Sequence, residues 1–364
     1  MSSPGISAAT DIRTILPPVL ITQESLRFLQ AHSLLNLSQV SHCLRSDSRA
    51  PWTPTMSTTT TTTISPPVAT QLTLIPETKI RTGLQARLAA RANAHTKSTS
   101  GLAPSFLQAN LIVLPSRYAA DFRDLCARNP VPCPLLADSA SPGDFANLRS
   151  HLPRVPEGTA IASSLDLRTD CPRFNIYNNS TLTGAGVPDI AAQWTEDHVG
   201  FLIGCSYSFE TALVAAGLPP RHLVLDRNVP MYRSSIPLNP AGVFTGGTYV
   251  VSMRPYRRDD VDKIRAITRR FLPTHGECVA WGWEALARLG IADIDSPQWG
   301  DAPLTMDGRP LGSVWGDEDN VPVFWGCGVT PQEAVMRAGL EGVIMGHAPG
   351  HMLVLDCTED QVLP

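Results

Sequence analysis

The chain has 364 residues, 43% of them hydrophobic, and its formal net charge at pH 7 is -4. This length and hydrophobic content favour one large or two smaller folded domains, while the charge gives no support for a nucleic acid or a membrane as partner. The eight cysteines form no C-x-x-C pair, so reduced thiols are expected rather than a zinc ribbon. No apolar run reaches the roughly 20 residues that a membrane helix requires.

The first 75 residues differ from the rest of the chain in composition. Ser, Thr and Pro dominate, and six consecutive threonines occupy positions 58–63. Such a segment cannot bury enough apolar surface to offset the entropy lost on ordering. We therefore predict a disordered leader over residues 1–75 and a folded domain over residues 79–364. The protein is expected to be intracellular, in the cytoplasm or the mitochondrial matrix, since the arginines are too few to establish a transit peptide.

Strands and helices alternate from residue 79 onwards, which is typical of α/β layers. No internal repeat is apparent. The predicted helices are 80–94, a helix capped by Ser116, a short helix or turn at 144–152, and the helices 259–271 and 331–338. The predicted strands are 107–114, 174–177, 221–226, 248–254, 277–281, 321–328, 342–345 and 352–355.

The chain is organised around residues 201–210, Phe-Leu-Ile-Gly-Cys-Ser-Tyr-Ser-Phe-Glu. We predict a helix over 195–216 that is broken or kinked at Gly204. If a new helix begins near Ser206, Cys205 lies at its N-terminus, where the free N–H groups stabilise a thiolate or bind a carboxylate. The alternative is that Cys205 is an ordinary buried thiol in a helix pair.

Polar residues in turns at strand ends suggest a small acidic ligand. Arginine binds carboxylates through its planar fork, whereas a carboxylate and a histidine transfer protons. Partial burial is expected to raise the pKa of Glu210 into a range useful for acid–base work, unless Glu210 pairs with an arginine such as Arg233 for structural reasons. The predicted catalytic residues are Glu210, Cys205 and His347, and the predicted substrate-binding residues are Ser206, Arg233, Arg254, Asn228, Tyr232 and Cys327.

The sequence indicates neither a metal nor a cofactor. It contains no glycine-rich phosphate loop and no H-E-x-x-H motif. His347 and His351 lie four residues apart, but Pro349 and Gly350 between them rule against a helical metal pair. The expected partner is therefore a small-molecule carboxylate, without nucleic acid or membrane, and the sequence leaves open whether the chain forms a homo-oligomer.

These motifs resemble those of the D-glutamate cyclase family, which is also catalogued as a family of hydro-lyases. The resemblance runs in family order from about Arg87 to Asp356. It is carried by Ser-Gly-Leu-Ala-Pro at 100–104, Arg-Asn-Pro-Val-Pro-Cys-Pro-Leu-Leu at 128–136, the central stretch 201–210, Asn-Val-Pro-Met-Tyr-Arg at 228–233, Val-Val-Ser-Met-Arg-Pro at 250–255, Val-Pro-Val-Phe-Trp at 321–325 and His-Ala-Pro-Gly at 347–350.

The resemblance implies two interleaved α/β parts with mixed sheets, and a cofactor-free reaction that removes water from D-glutamate to give 5-oxo-D-proline. Two departures from the family pattern matter. Residues 279–284, Val-Ala-Trp-Gly-Trp-Glu, replace a segment of the Val-His-Ile-Gly-Asp-Pro type, and Gly346 replaces a threonine. Two other functions therefore stay open: dehydration of another small hydroxy or amino acid, and binding of a small carboxylate without turnover.

The leader is predicted to be dispensable for folding, because it offers no periodic apolar face. A chain that begins at Lys79 is expected to unfold at the same urea concentration as the full-length protein. Failure of the shortened chain to fold, where the full chain folds, would contradict this prediction.

Overall fold

The computed structural model describes residues 80–363, and the predicted leader lies outside them. The helices of this part are Gly83–Arg91 (α1), Ala119–Arg128 (α2), Gly158–Ile161 (α3), Glu210–Ala215 (α4), Arg221–Val224 (α5), Val261–Thr268 (α6), Ala285–Leu289 (α7), Val329–Arg337 (α8) and Glu359–Val362 (α9). Its strands are Phe106–Pro115 (β1), Leu135–Ser139 (β2), Leu148–Leu152 (β3), Val155–Glu157 (β4), Phe174–Asn178 (β5), Thr181–Val187 (β6), His198–Gly204 (β7), Met231–Pro237 (β8), Thr248–Tyr256 (β9), Ala280–Trp281 (β10), Val321–Gly326 (β11), Val343–His347 (β12) and Leu353–Thr358 (β13).

The strands form two sheets. The larger sheet has the order β4-β3-β2-β7-β1-β12-β5-β6, and β13 also pairs with β1. The smaller sheet has the order β10-β11-β9-β8. The predicted α/β fold is confirmed, but the pairs between the named strands are all antiparallel, so the expected mixed sheets are not found in the described residues.

Strand β1 is the centre of the larger sheet and is buried on both faces from Leu107 to Pro115. Its register with β7 runs from Ala109 opposite Gly204 to Pro115 opposite His198. Apolar clusters cover both faces of this sheet, and a separate cluster packs on the smaller sheet around Trp325 and Phe324. The continuous apolar sequence of β1 correctly indicated a strand covered on both sides.

Three predicted elements are wrong. Residues 198–204 form strand β7 rather than the first part of a helix, because a short apolar run suits a strand buried on both faces as well as a helix. Residues 221–224 form a short helix instead of a strand, and residues 148–152 form a strand instead of a helix or turn. In each case the segment is too short for the spacing of its hydrophobic residues to distinguish a helix from a strand.

The structure also corrects the expectation that the chain has no repeat. Residues 204–218 and 326–340 are identical at six of fifteen aligned positions: Gly204/Gly326, Cys205/Cys327, Ala212/Ala334, Ala216/Ala338, Gly217/Gly339 and Leu218/Leu340. Each copy ends a strand at its first glycine, passes through a cysteine into helical turns, and closes at a glycine with positive φ, 78° in one copy and 62° in the other.

One hydrogen bond to the neighbouring strand recurs in both copies. The Ser208 hydroxyl accepts a hydrogen bond of 3.0 Å from the N–H of Gln108, on the strand next to the first copy. The Thr330 hydroxyl, at the matching position, accepts one of 3.0 Å from the N–H of Val250, on the strand next to the second. The two sheets therefore each contribute one copy of the same strand–cysteine–helix unit.

No helix within residues 80–363 combines the length and the apolar character that crossing a membrane would require. The seven cysteines in this range are all free and buried.

Gly204 leaves no room for a side chain, because a Cβ atom added there would lie 1.9 Å from the carbonyl oxygen of Pro273. We expect Gly204→Ala to lower the free energy of unfolding by about 2 kcal/mol or more, since the backbone at the end of β7 must shift. Gly246→Ala is the matched control, because no atom lies within 4 Å of its added Cβ, and it should change stability by less than about 1 kcal/mol. Urea unfolding that gave equal values for both variants would contradict the prediction.

Candidate active site

A buried ion pair connects the two sheets. Arg254 on β9 belongs to the smaller sheet, and Glu210 begins the helix that follows β7 of the larger one. The guanidinium donates to Oε1 of Glu210 from Nε at 3.0 Å and from Nη2 at 2.5 Å. It also donates to the hydroxyls of Ser206 and Ser252, both at 3.1 Å. Every nitrogen of Arg254 therefore has a partner within the protein.

Glu210 is almost fully buried and is surrounded by donors. Its Oε2 accepts a hydrogen bond of 3.2 Å from the hydroxyl of Ser100. Burial raises the pKa of Glu210, but the charges of His222 and Arg254 lower it by more, so the net shift is downward. The expectation of a raised pKa is therefore wrong. Glu210 is ionised at neutral pH, and the stability it provides is lost only as the pH falls below the usual range of a carboxyl group.

His222 lies next to this ion pair and also borders a small cavity. Its Nε2 is 3.1 Å from Oε1 of Glu210, off the direction that a hydrogen bond requires. Its ring stacks on Tyr207 with the centroids 6.1 Å apart. The cavity brings three basic side chains, Arg221, His222 and Arg227, together with Asn228, and Asp301 is its acidic residue.

The basic groups of this cavity are incompletely paired. Arg227 donates from Nη2 to the carbonyl oxygen of Ala302 at 3.2 Å, whereas its buried Nε has no hydrogen-bond partner in the described structure. Arg221 donates to the carbonyl oxygen of Leu304 at 3.3 Å, and burial lowers its pKa. Guanidinium groups with unused N–H donors can bind a carboxylate through charge-assisted hydrogen bonds.

A second cluster adjoins the cavity through Asn228. The Oδ1 of Asn228 accepts a hydrogen bond of 2.8 Å from the hydroxyl of Tyr207, which leaves the Asn228 amide N–H groups to donate. Tyr207 belongs to one apolar cluster, whose other members are the two repeat cysteines, Cys205 and Cys327, and Val229, Met231, Val250, Val329 and Met352. Burial raises the pKa of both thiols, that of Cys327 to about 11.

The backbone N–H groups of Gly204 and Cys205 are both used inside the protein. Gly204 donates to the carbonyl oxygen of Pro134 at 2.9 Å, and Cys205 donates to that of Gln108 at 3.0 Å. They therefore do not supply the donors that a developing oxyanion needs.

Three predicted site residues lie apart from the ion pair and the cavity. The hydroxyl of Tyr232 donates to the carbonyl oxygen of Ile294 at 2.5 Å within the core of the smaller sheet. Arg233 is 36% exposed and pairs with Glu333 at 2.7 Å. His347 has its Nδ1 2.8 Å from the carbonyl oxygen of Ala348, and burial lowers its pKa to about 4.

His347 lines a separate small cavity together with Tyr177, Gln332 and Gly346, and its buried Nε2 has no hydrogen-bond partner in the described structure. One of the two departures from the family pattern, Gly346, thus borders this cavity. The other, residues 279–284, lies at the edge of the smaller sheet, where Trp281 packs beneath Arg265 at 4.5 Å.

The sequence analysis did not assign roles to His222, Arg221, Arg227, Tyr207 or Ser100. Residues 221–226 were predicted to be a strand, whereas Arg221 and His222 begin a short helix that brings His222 against Glu210. Within residues 80–363, no group of three or more His, Cys, Asp or Glu side chains is arranged to hold a metal ion.

Comparison with known proteins points to one family. Residues 199–356 match a family model described as D-glutamate cyclase. A Schizosaccharomyces pombe protein named "putative hydro-lyase" is 41% identical over 323 residues, which is 83% of this chain and 99% of the relative. Proteins of the same name from Jannaschia sp. and Bordetella pertussis are 43% and 45% identical, over 76% and 75% of this chain and 94% and 89% of the relatives.

Among solved structures, a nitrogen repressor-like protein from Methanococcus jannaschii aligns with 76% of this chain and 99% of its own at a TM-score of 0.28 and 10% identity. This likeness is too slight to support any argument.

Replacing Glu210 by Gln should lower the free energy of unfolding by about 3–5 kcal/mol, because the fully buried charge of Arg254 is left without its anion. The double variant Glu210→Gln with Arg254→Met should recover part of this loss, since no unpaired charge remains. Glu333→Gln is the matched control: it removes a carboxylate whose two partners, Arg233 and Arg337, are both partly exposed, so it leaves no buried charge unpaired and should cost about 1 kcal/mol or less. Urea unfolding of both single variants and of the double variant provides the measurement. If the losses in unfolding free energy of Glu210→Gln and Arg254→Met simply add in the double variant, the two residues are not energetically coupled.

Proposed function

The chain belongs to the D-glutamate cyclase family, and from this membership we propose that it is a hydro-lyase that closes D-glutamate to 5-oxo-D-proline with loss of water. The observation that carries the proposal is the position of His222. Its ring contacts the ionised carboxylate of Glu210 and also borders a cavity flanked by two guanidinium groups. A proton-transfer group and a carboxylate-binding surface therefore meet at one place.

Arg221 and Arg227 are proposed to bind the α-carboxylate of the substrate. Both line the cavity, and the buried Nε of Arg227 has no hydrogen-bond partner in the described structure. Arg254 cannot take this role without breaking its bonds, because Glu210, Ser206 and Ser252 already occupy its donors. Its proposed role is to fix Glu210.

Ring closure requires a neutral amine that attacks the γ-carboxyl carbon, and a proton that converts a carboxyl oxygen into a leaving water molecule. His222 is proposed to accept the ammonium proton and to return a proton to the departing oxygen. Glu210, held ionised by Arg254, stabilises the protonated imidazole formed between these two steps. The C–N bond forms and one C–O bond breaks. The nitrogen loses two protons, one from the ammonium group before attack and one from the tetrahedral intermediate after it, and His222 passes both to the oxygen that leaves as water.

Asn228 is proposed to donate to the oxyanion that develops on the attacked carboxyl group. Its Oδ1 accepts a hydrogen bond from the Tyr207 hydroxyl, which fixes the orientation of the amide, and Asn228 lines the cavity. Preorganised donors of this kind stabilise charge that appears in the transition state. Because ring closure is intramolecular, positioning of the substrate contributes a further part of the rate.

The test is to incubate purified protein with D-glutamate or L-glutamate and to follow 5-oxoproline by NMR. We expect product from D-glutamate. His222→Asn should lower kcat by about 100-fold or more, since general acid–base catalysis typically contributes that much. Arg227→Gln should mainly raise KM, by roughly 10-fold or more, through loss of a charge-assisted hydrogen bond.

Arg233→Gln is the control for the arginine variant, because Arg233 pairs with Glu333 and is not among the residues lining the cavity. It should leave both constants within about twofold of wild type. Absence of 5-oxoproline from either enantiomer would overturn the proposed reaction. Full activity of His222→Asn would overturn the assignment of the proton-transfer group.

A further inference from the structure

The cavity beside His222 has one acidic side chain in its wall, Asp301, to which the proposed reaction assigns no role. Asp301 follows Gly300, where an added Cβ atom would lie 1.9 Å from the carbonyl oxygen of Val229, so the two backbone segments pack directly on each other. The Oδ2 of Asp301 accepts a hydrogen bond of 2.7 Å from the backbone N–H of Asn228. In return, the backbone N–H of Asp301 donates to the carbonyl oxygen of Asn228 at 3.3 Å. These contacts hold the carboxylate in the wall of the cavity.

The other carboxylate oxygen of Asp301, Oδ1, is not used inside the protein. In the part of the chain that the structure describes, Asp301 forms no ion pair, and its one side-chain hydrogen bond uses Oδ2. Asp301 is also exposed, so its carboxylate is accessible from solvent. The cavity therefore presents a fixed negative charge with a free acceptor oxygen.

The guanidinium groups of the same cavity do not neutralise this charge. Arg221 and Arg227 donate to the carbonyl oxygens of Leu304 and Ala302, and the buried Nε of Arg227 has no hydrogen-bond partner in the described structure. Opposite charges that share a cavity without pairing are complementary to a molecule that carries both charges. A zwitterionic α-amino acid is such a molecule, whereas a hydroxy acid or a plain dicarboxylic acid lacks the positive group.

The cavity offers room for the charged end of such a molecule. Its volume is about 290 Å³, mouth included, which is close to the lower end of the range for small-molecule sites. Most of its other lining residues are apolar. The few charged groups therefore determine which head group binds.

From these observations we propose that Asp301 binds the ammonium group of the substrate and makes the site selective for zwitterionic α-amino acids. The inference rests on the proposed function, whose cavity it shares, and it specifies the class of substrate that the cavity accepts. The Oδ1 of Asp301 accepts an N–H of the ammonium group, while Arg227 binds the α-carboxylate. A neutral amine still has N–H groups to donate, so this contact persists after His222 has removed the first proton.

The same carboxylate selects against acids without an amino group. Such a ligand brings negative charge to the cavity and leaves the charge of Asp301 uncompensated, which lowers its affinity. Of the functions that the sequence left open, Asp301 therefore disfavours the dehydration of a hydroxy acid.

The experiment measures the Kd of the full-length protein for three ligands that differ at one position. D-Glutamate, D-2-hydroxyglutarate and glutarate carry an ammonium group, a hydroxyl group and a hydrogen atom at that carbon. In saturation-transfer NMR titrations, D-glutamate should bind about fivefold or more tightly than either of the others, which is the effect of one partly exposed ion pair. 5-Oxoproline gives separate signals in the same spectra, so turnover is seen independently of binding.

An isosteric variant tests the role of the charge. Asp301→Asn keeps an oxygen that accepts from the Asn228 N–H but removes the negative charge. Its Kd for D-glutamate should rise by about fivefold or more, whereas its Kd for glutarate should stay the same or fall, because the repulsion between carboxylates is relieved.

Asp226→Asn is the matched control. Asp226 is exposed and precedes Arg227 in the sequence, but it does not line the cavity. Its φ of 51° suits asparagine, so the substitution removes the same charge without backbone strain. This variant should keep the wild-type preference for D-glutamate.

Equal Kd values of the wild type for the three ligands, or an unchanged preference for D-glutamate in Asp301→Asn, would overturn the assignment of Asp301. A preference for D-glutamate that Asp301→Asn loses, without any 5-oxoproline, would support the assignment and overturn the cyclisation. No binding of any of the three ligands would overturn both. Thermal unfolding checks that the variants fold; should Asp301→Asn fail to fold, the wild-type Kd ratios still decide the question.

Discussion

The ion pair between Arg254 and Glu210 is the interaction on which the site depends. It joins the smaller sheet to the larger one, and both side chains are buried. A buried ion pair of this kind adds little net stability, because the desolvation of two charges offsets their attraction. Removing one partner is nevertheless costly, so the pair holds Ser206, Ser252 and the first turn of α4 in one arrangement. The rings of Phe209 and Trp325, 5.2 and 5.4 Å from the guanidinium, enclose it further.

Much of the fold could be predicted, because its signals are local. The strands β1, β5 and β9 and the helices α1, α6 and α8 have periods or caps that short-range chemistry sets. Strand β7 could not be predicted in this way, since a helix and a doubly buried strand present the same apolar run. The α5 helix was missed for a related reason: its four residues are too few to show a period.

The sequence could suggest which residues belong to the candidate site, but not which of them contact each other. The sequence named Glu210, Arg254, Ser206 and Cys205 as candidates, and the structure brings Arg254 into contact with Glu210 and Ser206. The partner of Glu210 depends on strand register: Arg254 points at it from β9, whereas Arg233 on β8 reaches Glu333 on α8 instead. Such a choice between two arginines depends on contacts far apart in sequence, which a one-dimensional pattern does not contain.

All nitrogens of Arg254 already donate hydrogen bonds within the protein, and this limits the role that Arg254 can have in the site. The guanidinium of Arg254, whose donors are all occupied, fixes the position of Glu210, and the lowered pKa of Glu210 keeps this carboxylate ionised rather than ready to donate a proton. The proposed reaction therefore assigns carboxylate binding and proton transfer to less completely paired groups nearby, Arg227 and His222, which line the cavity. Asn228 lines that cavity and accepts the hydrogen bond of the Tyr207 hydroxyl, so one hydrogen bond joins the cavity to the apolar cluster that contains Cys205 and Cys327.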